Sequence, residues 1–189
     1  MLLVAGIAGA VLLLAAVGVW ALRSPSPPPP AQAHPSSSAT QTSAIKVAGG
    51  FQFTQHAART DTDCAANAYG KVADFFKNSP CTRLDRAIYS STVDGKVVVV
   101  SVSVVQMPDE SKATELKKLA DTNGTGNVSD LLRAGVRVPG GPDSLTNAGY
   151  ASGRDGAVVV IAEADFADQG MRDETLLDRI SEAALQLRK

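Results

Sequence analysis

The chain has 189 residues, 44% of them hydrophobic, with 18 basic and 19 acidic side chains and a net charge of −1. That apolar content can build a core, which excludes a chain disordered throughout, and the lack of a basic excess excludes nucleic acid as a partner read from charge. The charge is unevenly placed. The first 45 residues carry only Arg23, whereas 17 basic and 19 acidic residues follow from Lys46 onward, so one ordinary domain stands behind an uncharged leader.

Leu2 to Leu22 is an unbroken apolar run of 21 residues, closed by Arg23. As a helix it would reach about 31 Å, the thickness of a bilayer's hydrocarbon core. No basic residue precedes the run and it is longer than a signal-peptide core, so residues 1–23 are expected to form a retained single-pass membrane anchor. Cleavage at Ala16-Val17-Gly18 or Ala31-Gln32-Ala33 is the alternative. Arg23 alone would hold the carboxyl side in the cytoplasm; the cysteines and the next segment argue for the opposite orientation.

Residues 24–46 form a Pro/Ser-rich tether. Six of the ten prolines fall between Ser24 and Ala44, among many hydroxyls. Such a segment favours polyproline II and has too few large apolar groups for a core, so it reads as an extended stalk suited to a cell wall or periplasm. A PxxP ligand for a cytoplasmic partner is the lesser reading.

Residues 47–189 are expected to form an α+β domain. Val47 to Thr54 reads as an opening strand. A helix is predicted from about Ala65 to Lys77, capped by Thr62 or Asp63, with Ala68, Val72 and Phe76 on one face. Asn78-Ser79-Pro80 stops it. Two hairpins with Asp-Gly turns follow, Tyr89 to Val100 around Asp94-Gly95 and Tyr150 to Ile161 around Asp155-Gly156. Each precedes a helical pattern, Asp109 to Ala120 and Arg172 to Leu187. At a constant offset of 61 the two segments resemble a duplicated ββα unit. The parity conflicts, because Ser101 and Ser103 then oppose Glu163 and Asp165 in phase; either a bulge intervenes or the hairpins converged. The expected architecture is an antiparallel sheet of four or five strands with helices packed on it, ferredoxin-like or a similar two-layer form, preceded by one transmembrane helix.

Cys64 and Cys81 are the only cysteines. An exported domain would oxidise them to a disulfide. A helix running from Cys64 to Lys77 would be about 20 Å long against a return of about 14 Å, so the bridge requires that helix to begin after Cys64 or end before Lys77. Two reduced structural cysteines, a zinc site with His56 and a Cys–His nucleophile remain as other readings. Asn123-Gly-Thr-Gly126-Asn127 is Gly-rich but lacks the phosphate-loop signature, so a helix C-cap and turn is expected, with Ser129 capping a short helix to Arg133. Asn123 and Asn127 sit in N-x-S/T sequons. Glu163 and Asp165 fall on one face of a strand about 6.6 Å apart, the spacing of paired carboxylates, although polar strand ends are commoner. No catalytic, cofactor-binding or metal-binding set is expected.

The segments DCAANAYGKVADFF, SPC, TVDGKVVVVSVSVVQM, NGTGNV and YASGRDGAVVVIAEA, behind an apolar anchor and a Pro/Ser tether, resemble uncharacterised actinobacterial membrane-anchored proteins with an extracytoplasmic domain. The resemblance covers about residues 60–187. It implies an extracytoplasmic location and a Cys64–Cys81 bridge, and no catalytic residues. The expected function is therefore a membrane-tethered binding or structural domain of the cell envelope, with an envelope protein or cell-wall component as partner. The alternatives are an envelope hydrolase using Glu163 or Asp165, or an accessory subunit of a transmembrane sensor.

Overall fold

The computed structural model describes residues 44–146 and 148–188. The expected anchor and all but the last residues of the tether lie outside the described residues. Among those described, no helix is long and apolar enough to cross a membrane.

The domain is α+β. Its strands are β1 (Ile45–Ala48), β2 (Phe51–Asp61), β3 (Arg83–Val93), β4 (Lys96–Gln106), β5 (Gly149–Asp155) and β6 (Val158–Phe166), and its helices α1 (Gly70–Asn78), α2 (Glu110–Ala120) and α3 (Glu174–Ala184). A 3-10 turn, Leu185–Arg188, ends the described chain. All six strands join one antiparallel sheet in the order β1-β2-β3-β4-β6-β5. This is one strand more than the upper expectation. The extra strand is β1, which takes in Ile45 and Lys46 ahead of the expected domain boundary. Gly49 and Gly50, at φ +55° and +83°, reverse the chain inside what reads as one strand, a backbone that glycine adopts without steric cost.

The layering also differs from a two-layer ferredoxin-like form, because helices cover both sheet faces. Val98, Val100 and Val102 of β4 and Val160, Ala162 and Ala164 of β6 pack against Leu177, Ile180 and Ala184 of α3. On the opposite face, Val105, Val159 and Ile161 pack against Val72 and Phe76 of α1 and Leu116 of α2. Strands covered on both sides read as continuous Val runs, which is what β4 and β6 show. The long segment between α2 and β5 completes that second face, burying Leu131, Leu132, Val138 and Leu145 against Ile88 and Val99.

The parity conflict between the hairpins resolves in their turns. In the first, Val93 pairs with Lys96, and Asp94 and Gly95 form the loop, both at positive φ, as a type I′ turn requires. In the second, Asp155 still belongs to the strand and pairs with Val158. Gly156 and Ala157 form that loop with positive φ only at Gly156, the type II′ pattern. Structural equivalence therefore runs one residue beyond the sequence offset, and Ser101 and Ser103 correspond to Glu163 and Asp165 on one face. A rotation normal to the sheet between β4 and β6 relates the hairpins. It does not relate the helices, since α2 and α3 lie on opposite faces.

The two carboxy-terminal helices match their sequence signals. Asp109 and Asp173 each cap a helix, accepting from the amides of Lys112 and Leu176, and such caps contribute about 1 kcal/mol. α1 starts five residues later than expected. Residues 64–69 form a turn and an isolated bridge, Ala68 to Val128, instead of a first helical turn.

Candidate functional site

Cys64 and Cys81 are disulfide-bonded, with Cα atoms 6.0 Å apart. The late start of α1 satisfies the geometric condition on the bridge. Both residues are buried in the apolar cluster with Val72, Phe76 and Leu84. Their oxidation overturns the zinc and Cys–His readings. His56 instead sits at the bulge of β2, its Nε2 2.8 Å from Ser90 Oγ, and burial pushes its pKa down.

The feature that sequence reading missed is a polar stripe across the middle of the sheet. Register aligns Arg86, Ser103 and Ile161 in one row, and Ile88, Ser101, Glu163 and Tyr150 in the next. Arg86, Ser101 and Ser103 are all buried. Arg86 donates to Asp61 at 2.8 Å, to Asn67 Oδ1 at 2.6 Å and to the Ser129 carbonyl at 2.8 Å. Its Nε is buried without a partner. The signal was present in the sequence as hydroxyls alternating through the Val run of β4 and an arginine at the apolar parity of β3, between Leu84 and Ile88.

The Gly-rich segment covers this stripe. Tyr69 N donates to the Asn127 carbonyl at 3.0 Å, Val72 N to Thr125 at 3.3 Å, and Ser129 N to Asn67 at 2.9 Å. Gly126, at φ +86°, lies so close to the Tyr69 carbonyl that a Cβ there would collide with it. The glycine thus serves a close backbone approach rather than a C-cap. Ser129 caps no helix, because residues 128–133 form a bridge and turns. Asn127 is buried, which removes the second sequon as an accessible acceptor.

Glu163 and Asp165 share the face expected, but their roles diverge. Asp165 is buried and accepts from the amides of Thr146 at 2.9 Å and Phe166 at 2.8 Å, pinning the chain before β5. Glu163 lies in the polar stripe, where Asn127 Nδ2 donates to its Oε1 at 3.4 Å. Desolvation, then the nearby Asp130 carboxylate, push its pKa up to about 7, against smaller opposing effects of Asn127 and Arg133. Beside it, Tyr150 donates to Asp121 Oδ1 at 3.0 Å, and burial together with that carboxylate raises the phenol's pKa. Tyr69 is raised as well, by burial first and then by Glu163, while Arg133 stacks over its ring at 4.6 Å.

The other face carries open grooves on either side of the 3-10 turn. One, of about 270 Å³, is floored by Ala87, Val102 and Val104 and edged by Arg59, Arg83 and Arg188. The second, of about 580 Å³, lies between Val47, Gly153, Val160 and Leu185. Both edge strands reach the turn: Lys46 Nζ donates to the Leu187 carbonyl at 3.3 Å, and Arg188 pairs with Asp155 at 3.3 Å. Among the described residues, no group of three or more His, Cys, Asp or Glu side chains is placed to hold a metal ion. Compared with known proteins, the chain matches no family model, no curated protein and no solved structure.

Proposed function

We propose that the chain is a membrane-tethered, extracytoplasmic binding domain of the cell envelope, of the kind its resemblance to actinobacterial membrane-anchored proteins suggests. The observation that carries this reading is the buried Cys64–Cys81 disulfide, since such bonds persist in oxidising compartments. The grooves beside the 3-10 turn supply the binding surface. They are open, carry arginines at the rim and apolar groups on the floor, the mixture that binding sites combine. The partner is an envelope protein or cell-wall component.

The hydrolase reading draws on one observation, a carboxyl held near neutrality at Glu163. That group lies beneath the 121–133 segment, and Asp165 is engaged by backbone amides, so the two do not stand as a pair over a common groove. A photoreactive residue placed at Ala58, which lines the first groove, tests the binding reading in intact cells. Crosslinks to a defined envelope component are expected from Ala58 and not from Glu115 on the exposed side of α2. Equal crosslinking from both positions, or none from Ala58, would count against the groove.

A further inference from the structure

We propose that Glu163 is a proton-operated latch that closes the 121–133 segment over the polar stripe of the sheet. The segment has no regular secondary structure beyond the Ala68–Val128 bridge. It is held to the 67–72 stretch by the three backbone bonds at Tyr69, Val72 and Ser129. At its ends Tyr150 and Ser152 of β5 donate to Asp121, and Leu131 and Leu132 pack on the sheet. Between these anchors two side chains of the sheet reach it. One is Arg86, through the Ser129 carbonyl; the other is Glu163, through Asn127.

The groups around Glu163 set the direction of the latch. From the covering segment it faces Asn127, Asp130 and Arg133. Asp130 is buried and accepts from Arg133 N at 3.0 Å, with Arg133 Nε 3.3 Å from its carboxylate. From β5 it faces Tyr150, whose hydroxyl is committed to Asp121. Tyr69 approaches from the start of α1, and Ser101 stands opposite on β4. Arg86 occupies the adjoining row with Asp61 and Asn67 as its partners, and Asp165 on β6 itself serves Thr146 and Phe166.

Among the described residues, no uncommitted cation is directed at Glu163: Arg133 serves Asp130 and the Tyr69 ring, and Arg86 serves Asp61. A neutral carboxyl keeps its carbonyl for Asn127 and gains a proton to donate. An ionised one sets a second negative charge beside buried Asp130, with the long Asn127 contact and the smaller pull of Arg133 to offset it. Glu163 is only partly buried. Like charges with little access to water are relieved by admitting more of it, and the element that can move aside is the irregular stretch 122–130, which carries Asn127 and Asp130 between those two anchors. Acid therefore closes the latch and neutral to alkaline conditions loosen it, exposing Arg86, Ser101 and Ser103.

Hydrogen exchange on the full-length chain between pH 5.5 and 8.5 tests this. After correction for the intrinsic pH dependence of exchange, protection at Tyr69, Val72 and Ser129 should fall at least about tenfold across the range, as local opening allows. Val100 and Val102 in β4 serve as internal references and should hold steady. Glu163→Gln should keep the acid-form protection at every pH. Asp130→Asn, which removes the repulsion, should move the transition to lower pH, and this arm decides the matter if the glutamine variant fails to fold. A flat wild-type profile, a glutamine variant that follows the wild type, or an Asp130→Asn transition that stays or moves upward would each overturn the latch.

Discussion

Reducing the Cys64–Cys81 bond should lower the stability of the domain by about 3 kcal/mol. The bond spans 17 residues in sequence, and the chain-entropy relation for a loop of that size gives about 3 kcal/mol at 25 °C. The loop contains all of α1. Its ends, the exit of β2 and the start of β3, are already brought together by pairing of Asp61 with Leu84, so the effect acts mainly on the unfolded chain. Replacing both cysteines by alanine should cost more, because the sulfurs are buried against Val72, Phe76 and Leu84 and their removal leaves small cavities. The clean comparison is thermal unfolding of oxidised and reduced wild type, monitored by the near-ultraviolet signal. Thermal midpoints should separate by roughly 6–12 °C, on a scale of about 2–4 °C per kcal/mol for a domain of this size. Coincident transitions would refute the reasoning, and would mean that the β2–β3 pairing or residual structure already restrains this loop in the unfolded state.

Three further outcomes follow from other parts of the structure. Glu163, raised from 4.5 to about 7, binds its proton more tightly in the folded state, so its contribution is fullest below about pH 4.5, declines as pH rises toward 7 and is level above. Wild type should thereby lose up to about 3 kcal/mol across that window relative to Glu163→Gln, at about 1.4 kcal/mol per pH unit, and denaturant midpoints at pH 5 and pH 8 check it. Gly126→Ala should be destabilised by about 2 kcal/mol or more, and Gly124→Ala by only about 1 kcal/mol. Both glycines have positive φ, but only Gly126 abuts the Tyr69 backbone, so equal midpoints would deny the close approach. Arg86→Ala should cost about 3–5 kcal/mol by leaving Asp61 without its buried partner, and Arg86→Met less; thermal melts that rank them the other way would contradict the network.

How much of this was legible in the sequence varied with the range of the interactions. The two Asp-Gly hairpins and the helical patterns that follow them are local signals, and each produced the expected element, although Asp155 stays in its strand and the second turn falls at Gly156-Ala157. The amino-terminal hairpin was obscured because VAGGFQF keeps apolar character through its turn, while QHAARTD, which continues β2, has the polarity of a loop. The early start expected for α1 followed from Ala65 and Ala68 at helical spacing. In the fold those alanines face the disulfide cluster from a turn, because the bond to Cys81 limits how far the chain can advance as helix. The candidate site depended on tertiary register. Glu163 was visible as a carboxylate in a strand, but its environment comes from Asn127 and Asp130, which are distant in sequence and arrive through a Gly-rich segment that reads as an ordinary turn.

The central claim, that a disulfide-clamped domain lies outside the cytoplasm, is tested most directly in living cells. Rapid acid quenching followed by alkylation under denaturing conditions reads the state of both cysteines by mass. The account predicts no alkylation of Cys64 or Cys81 until a reductant is added, and two alkylated residues after it. Two thiols alkylated without reductant would contradict the bridge in the cell and, with it, the location that the proposed function rests on.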